Sequence, residues 1–507
     1  MKKNALKIIS FFLVFAILFS GFYNVLQYRF EDEDGIEGMK QFYKLKENSV
    51  DVMCFGSSHM FVDINTAVLW DEYGIAAYNL GGTIQPLWNT YFYMKEALKT
   101  QNPKLLVVDC FSASLTEEYQ EESGMIKNTF GMKFSKNKID AIYVSAPDKH
   151  LAYLLGYPGF HSRYSVLERE DFVEGKGIAH YDCWKGQHLL TQTNEEIAGL
   201  RMENIKEITD TEEIADKQSE YLQKIIDLAK EENIPLLLIN TPYFPTEREE
   251  KIYNRVAEIA KENDVPYINY NLFYDEMGLD FSSDFADGHH LNYKGTPKFT
   301  RLLAEDMKSL FEIPDHRNET DYRDYDMMSA CYHQKTANQE LMETEALEAY
   351  LEGLNSENYL VVFGLSGGFA YADNYAIIGN TLAEYGIYPD AEAGNQFYVV
   401  NQKNAQVIYS SLDNMKQTDT TSIVAAERGQ PRWDSELGSY DVVSVRCPTE
   451  DDYKNGYSSV VVEYNHQVYC PIYVGLTVFV YDTLNETMVE TVGFYLENGS
   501  FCLNKWR

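Results

Sequence analysis

The stretch VDVMCFGSSHMFVDIN, Val50 to Asn65, decides how the fold is read. A short apolar run, Val50 to Phe55, stops abruptly at Gly56-Ser57-Ser58-His59. A buried strand that ends in a glycine–serine turn can present a hydroxyl as a nucleophile. Working outward, INTAVLWDEYG (Ile64 to Gly74) predicts a helix ending at Gly74. IAAYNLGG (Ile75 to Gly82) predicts a short strand closing on a glycine pair, LWNTYFYMKEALKTQ a helix, and PKLLVVDCF (Pro103 to Phe111) a buried strand. Upstream, GIEGMKQFYKLKENS predicts a helix leading into the first strand. Downstream the alternation resumes with a long helix in TDTEEIADKQSEYLQKIIDLAKEENI and a strand in PLLLINTPY. A helix in EREEKIYNRVAEIAKEND and a strand in PYINYN follow. In the closing segment Phe299, Leu302, Leu303, Met307 and Leu310 share one helical face. Short apolar strands alternating with helices predict an α/β domain on a parallel sheet. Residues 112 to 205 break the pattern and are expected to be an insertion over the sheet.

The chain has 507 residues, room for two or three domains. Its 39 Tyr and 27 Phe support sizeable cores, and a formal charge of -35 repels phosphate backbones, so a nucleic-acid role is disfavoured. Lys2, Lys3 and Lys7 precede an uncharged run, Ile8 to Tyr28, about the length of one membrane span. The basic side is expected in the cytoplasm and the acidic EDEDG, Glu31 to Gly35, outside it. No small-x-small site follows the apolar run, so an uncleaved anchor is preferred to a signal peptide. Either way the bulk of the chain is expected to be extracytoplasmic.

Composition turns polar near PDHRNETDYRDYD, which places a linker at 316–345. Residues 346–507 hold short strands in NYLVVFG, QFYVVN, DVVSVRC, SSVVVEY and LTVFVYD, with one helix in ADNYAIIGNTLAEYG, and predict a smaller, β-rich α+β domain. The full division is thus 1–30 tail and anchor, 31–315 catalytic domain, 316–345 linker and 346–507 second domain. Cys54 and Cys110 lie in strand-like runs and are expected in the core. Cys447 and Cys470 are open to pairing in an oxidising compartment. No Cys/His cluster has zinc-site spacing, and neither metal nor cofactor is expected.

A serine hydroxyl needs a base to take its proton, and the base needs a carboxylate to orient it. Ser58 follows the first strand, while Asp287 and His290 stand three apart in DGHHLN, just before the last helix of the first domain. Strand C-terminal ends converge on one crevice in a parallel α/β sheet. His289 is one residue short of the Asp-x-x-His spacing. The backbone N–H of Ser58, at a helix start, is a candidate oxyanion donor.

Strand–Gly-x-Ser, then a glycine after the second strand, then Asp-x-x-His near the domain end resembles the SGNH (GDSL-like) hydrolase superfamily. Residues 36 to 315 look like its membrane-anchored bacterial branch, similar to the alginate O-acetyltransferase accessory proteins and the D-alanyl-lipoteichoic acid biosynthesis protein. The resemblance implies a three-layer parallel-sheet domain with Ser58 as nucleophile, His290 as base, Asp287 as orienting acid and Gly82 in the oxyanion hole, with Gly81 as the neighbouring alternative. The turn usually reads Gly-Asp-Ser, and here Ser57 replaces the Asp. The family's Gly-x-Asn-Asp block is not evident; VVDCFSAS, with Asp109 and no Asn, stands in its place. Gln85 is either an amide donor to the oxyanion or a helix-capping residue. His59 is expected to line the pocket. Trp184, with Arg163, Tyr164 and Lys185, lines a glycan groove or simply packs over the sheet. Residues 355 to 500, through GLTVFVYD and VETVGFYLENG, resemble the interleukin-like EMT inducer domain, for which glycan binding and a purely structural role are both open.

These resemblances imply a membrane-anchored serine acyltransferase or esterase that moves O-acetyl groups on a cell-envelope polysaccharide through an acyl-serine intermediate. A multi-pass membrane acyltransferase is the implied partner. The alternative expectation is an inactive scaffold that binds glycan or that acyltransferase.

Overall fold

The computed structural model describes residues 2–26, 34–119, 122–155, 163–165, 167, 184–366, 375–390, 392–412, 421–425, 431–438, 441–457, 459–470, 475–497 and 500–505. Two compact units divide the chain, residues 1–329 and 330–507.

The first unit is built on β1 (Val52–Gly56), β2 (Ala77–Gly81), β3 (Leu105–Asp109), β4 (Leu236–Asn240) and β5 (Tyr267–Asn269). They form one sheet in the order β2-β1-β3-β4-β5, and every pair is parallel. The strands read as continuous apolar runs because both faces are covered. Met53, Phe55, Leu106, Val108 and Leu238 pack on one face with the helices Leu87–Ala97, Asp216–Glu231 and Glu247–Glu262. Val52, Cys54, Leu105, Val107 and Ile239 pack on the other with Thr66–Tyr73 and Gly295–Leu310, through Leu69, Phe299, Leu303 and Met307. The result is the expected three layers. β1 is followed in sequence by β2 on one side and flanked by β3 on the other, so the chain changes direction across the sheet at β1, the place where ligands of parallel α/β sheets bind.

Residues Lys2–Leu26 form one helix. Among the described residues no helix is long and apolar enough to cross a membrane, so the expected anchor rests on the sequence alone. Most of the aromatic insertion, 156–162 and 168–183, lies outside the described residues. Its earlier part, expected to be irregular, forms the helices Glu122–Thr129, Lys136–Ser145 and His150–Leu154.

The expected linker is corrected in part. Arg323–Glu343 is a helix, because the polar stretch carries apolar residues at intervals: Tyr325 and Met328 are buried, as are Cys331 and Leu341. The second unit holds a six-stranded and a five-stranded sheet among the described residues, with antiparallel pairing throughout. Val362, Phe397 and Phe479 of the larger sheet share a core with Trp433, Val445 and Val462 of the smaller. The five expected strands are present, and the expected helix forms at Tyr375–Glu384. Cys54 and Cys110 are buried as expected. Cys447 and Cys470 are not joined: Cys447 Sγ donates to the Asn395 carbonyl at 3.2 Å, and Cys470 Sγ lies 3.2 Å from Ser459 Oγ.

Leu106 sits fully buried at the centre of the first sheet. Leu106→Ala should cost about 2–5 kcal/mol through lost burial and the cavity left behind. The expected reading is faster hydrogen exchange at the β1 and β3 amides.

Candidate active site

β1 delivers the turn. Gly56 has φ +155, and a Cβ there would meet Asp109 Cβ at 2.9 Å, so the chain passes β3 only without a side chain. Ser57 is fully buried and donates its hydroxyl to Asp109 Oδ2 at 3.3 Å. Ser58 then opens the short helix Ser58–Asp63.

The base arrives on a tight loop. Phe285 bridges Leu291, and Ala286 N–H donates to the His290 carbonyl at 2.9 Å. Within that loop Asp287 Oδ1 accepts the backbone N–H of His289 at 2.8 Å and of His290 at 3.0 Å. Both Asp287 oxygens lie 3.0 Å from His290 Nδ1, and His290 Nε2 lies 2.8 Å from Ser58 Oγ, 232 residues away. The carboxylate holds the proton on Nδ1, which leaves Nε2 as acceptor for the serine hydroxyl. Partial burial pushes the Asp287 carboxyl up, but hydrogen bonding and charge from His290, with the two backbone N–H groups, outweigh it and hold the carboxyl at about 2. Asp287 is thus ionised wherever His290 is required to act as a base.

A second, fully buried layer lies under this set. Asp63 ends the Ser58 helix; its Oδ1 accepts Leu291 N–H at 2.9 Å, the residue after His290, and its Oδ2 accepts Thr241 Oγ1 at 2.8 Å. Thr241 Oγ1 also lies 3.1 Å from His59 Nδ1. Burial lowers the His59 pKa well below its ordinary value, with His290 and His289 adding to the effect. His59 is therefore neutral, and its 3.6 Å approach to Asp63 is a polar contact rather than an ion pair. Burial pushes the Asp63 carboxyl up to about 7 against the opposing pull of His290 and its hydrogen bonds. Burial likewise takes Asp109 to about 7, helped by the charge of Asp63 and opposed by N–H donors from Phe111 and Thr241.

The remaining expected residues fall elsewhere. His59 does not line the pocket surface: it is 1% exposed, stacked on Phe111 at 4.2 Å and edge-on to Tyr243 at 4.8 Å. His289 is exposed and stacks on Tyr243 at 5.9 Å. Gly82 is committed to the sheet edge, its N–H donating to the Gly56 carbonyl at 3.3 Å; a Cβ there would lie 2.0 Å from Asn128 Oδ1. Gln85 is fully buried, its Nε2 donating to Asn128 Oδ1 at 3.1 Å and its Oε1 accepting from Thr90 at 3.1 Å. The Gly82 N–H is thus taken, and so is one of the two Gln85 amide hydrogens. Gly81 is buried in β2. Trp184 is half-buried, and its carbonyl accepts from Thr66 Oγ1 at 3.2 Å, while Lys185 is buried in an ion pair with Asp324 and over the Tyr325 ring. These contacts favour packing over groove lining. Tyr164 is exposed.

Asp63 and Thr241 were not singled out from the sequence as site residues. Thr241 stands just after β4 and Asp63 ends the helix that follows β1, which is the available signal; their meeting 178 residues apart is a tertiary fact.

Comparison with known proteins adds little. One family model, which carries no description, matches residues 189–312. No curated protein matches the chain. Among solved structures, a protein described as an acylhydrolase of Bacteroides fragilis is 12% identical, with 54% of this chain and 95% of that chain covered and a TM-score of 0.28. A GDSL-like lipase of Bacteroides thetaiotaomicron is 13% identical, with 54% and 97% covered and a TM-score of 0.27. A protein described as lipolytic, of the G-D-S-L family, from Desulfitobacterium hafniense is 10% identical, with 50% and 98% covered and a TM-score of 0.27.

The two raised carboxyls have a consequence for stability. Folded, Asp63 and Asp109 keep their protons up to about pH 7; unfolded, they ionise near the ordinary value of about 4. Between those values the fold binds more protons than the unfolded chain, so stability falls as pH rises through that window. Asp109→Asn cannot ionise. Its Tm should therefore fall less steeply than that of the parent chain between pH 5 and pH 7.5, measured by thermal scans across that range.

Proposed function

We propose that the first unit is a serine-dependent acyl-transfer enzyme, an esterase or O-acyltransferase. The observation that carries this reading is the hydrogen-bonded series Ser58–His290–Asp287. His290 Nε2 takes the proton as Ser58 Oγ attacks an ester carbonyl. Asp287 steadies the imidazolium that forms. The tetrahedral intermediate collapses as His290 returns the proton to the departing alcohol, leaving acyl-Ser58. A second hydroxyl, from water or a sugar, then attacks with His290 again as base. Ser58 N–H, the first in its helix, has no intrahelical carbonyl partner and serves the developing oxyanion.

On this reading the acyl group is acetyl and the carrier a cell-envelope polysaccharide, which follows from the resemblance to the membrane-anchored branch. Residues 8–28 anchor the chain, the bulk of it lies outside the cytoplasm, and a multi-pass membrane acyltransferase supplies the acyl group. The second unit positions glycan or that partner.

A second reading, an inactive scaffold for glycan or acyltransferase, is favoured by one observation: Gly82 N–H is engaged with the Gly56 carbonyl and one Gln85 amide hydrogen with Asn128, so the expected oxyanion set is thinned. The test separates the two. The enzyme should be labelled at Ser58 by a serine-directed phosphonate and should release acetate from an aryl acetate. Ser58→Ala should abolish labelling and lower turnover by about 10³-fold or more. No labelling and no turnover from the parent chain would leave the scaffold.

Asp63 supplies a further expectation. Asp63→Ala removes the acceptor for Leu291 N–H and should lower kcat toward aryl acetate by about 10²-fold, the cost of a small misplacement of the base, with KM little changed. Asp63→Asn keeps an acceptor there and should retain most of the activity.

A further inference from the structure

Residues 127–151 hold five lysines and two aspartates, with no glutamate, in a chain whose formal charge is -35; Lys138 is buried against the Phe130 and Met132 carbonyls, and Lys136 pairs with Asp140. They fold into the helices Lys136–Ser145 and, at their end, His150–Leu154. Each helix has two apolar sides. Ile142 and Tyr153 turn inward, into a small core with Ile36, Met125, Ile126 and Phe130. Ile139, Tyr143, Leu151 and Leu155 turn outward, as does Phe134 just before the first helix. Phe134 is 78% exposed and Leu151 65%. The i, i+4 spacing puts Ile139 over Tyr143 and Leu151 over Leu155. The Tyr143 ring lies 5.2 Å from that of His150, which joins the two outward sides. Lys133, Lys136 and Lys149 are exposed on the same segment.

A single exposed leucine needs no explanation, but five large apolar side chains set among lysines are the composition of a surface that sits at a lipid interface. The position of this surface points the same way. Ile36, in its inner core, belongs to the helix Asp34–Phe42, the first after Lys2–Leu26. Gly131 packs so closely that a Cβ there would lie 2.5 Å from the Ile36 carbonyl. Eight residue steps separate Leu26 from Asp34, which at full extension reach at most about 29 Å.

We propose that Phe134, Ile139, Tyr143, Leu151 and Leu155 form a face that rests in the headgroup layer of an anionic bilayer, with Lys133, Lys136 and Lys149 toward lipid phosphates. The proposal rests on the reading of residues 8–28 as an anchor. The face holds the first unit against the membrane instead of leaving it to swing on a tether. Its three exposed lysines against Asp140 and Asp148 leave a small local excess of positive charge, which suits anionic lipid, whereas the formal charge of the whole chain repels it.

The test uses the full chain in vesicles of phosphatidylcholine and phosphatidylglycerol that carry a photoactivatable phospholipid, with adducts mapped by peptide mass spectrometry. The expected result is adducts on residues 8–26 and again on 134–155. The second set should drop about tenfold in phosphatidylcholine alone and in Ile139→Ser/Tyr143→Ser/Leu151→Ser. These substitutions lie at exposed positions, and unchanged phosphonate labelling of Ser58 reports that the variant is folded. Adducts confined to 8–26 overturn the lipid face and leave the anchor standing. Adducts on 134–155 alone support the face and remove the anchor. Adducts on 134–155 that persist in the triple variant overturn the assignment of the face to these residues.

Discussion

The buried carboxyl of Asp63 joins three segments that the sequence keeps far apart. It ends the helix that Ser58 begins, takes the N–H of Leu291 beside the base, and takes the hydroxyl of Thr241 at the end of β4. Leaving a buried N–H without its acceptor costs about 1–3 kcal/mol, so the loop that carries His290 has one favoured seat on the Ser58 helix. The Asp287 loop is rigid in its own right, because Asp287 accepts two N–H groups of the same turn. A rigid loop and a fixed seat together account for the 2.8 Å approach of His290 to Ser58. Pre-organisation of this kind is what lets a weak nucleophile be activated without rearrangement.

The serine at position 57 is explained by its neighbour. Ser57 is fully buried against Asp109, at the end of β3. An aspartate at 57 would set a second carboxylate against Asp109, whose proton affinity is already raised by burial and by Asp63. A hydroxyl instead donates to Asp109, so a protonated or ionised partner is equally served. The departure from Gly-Asp-Ser and the acid in VVDCF are therefore one feature. The far side of the turn is different: Gly82 N–H is taken by the Gly56 carbonyl, and Gln85 turns its amide toward Asn128.

The strands of the parallel sheet were legible because each is a short apolar run buried on both faces, which periodicity and turn residues mark clearly. The second unit was legible for a related reason, since VVVEY and LTVFVYD supply inward side chains to the packed sheets. The helix at Arg323–Glu343 was hidden by its charged residues, although its buried tyrosine, methionine and leucine recur along it. The cysteines at 447 and 470 show a general limit: composition permits a bond, and only packing decides which atoms each thiol meets.

The sequence by itself determined that Ser58 follows a strand, that Asp287 and His290 share a turn, and that residues 8–28 are an apolar, uncharged run. Each is a local property, set by neighbours a few residues away. Only the tertiary structure decided that His59 lies beneath the turn rather than facing solvent, that Gly82 and Gln85 donate to Gly56 and Asn128, and that Asp63 joins Leu291 to Thr241. Those outcomes depend on contacts between strand ends up to 228 residues apart, and burial, not residue type, determines which polar groups remain available for chemistry.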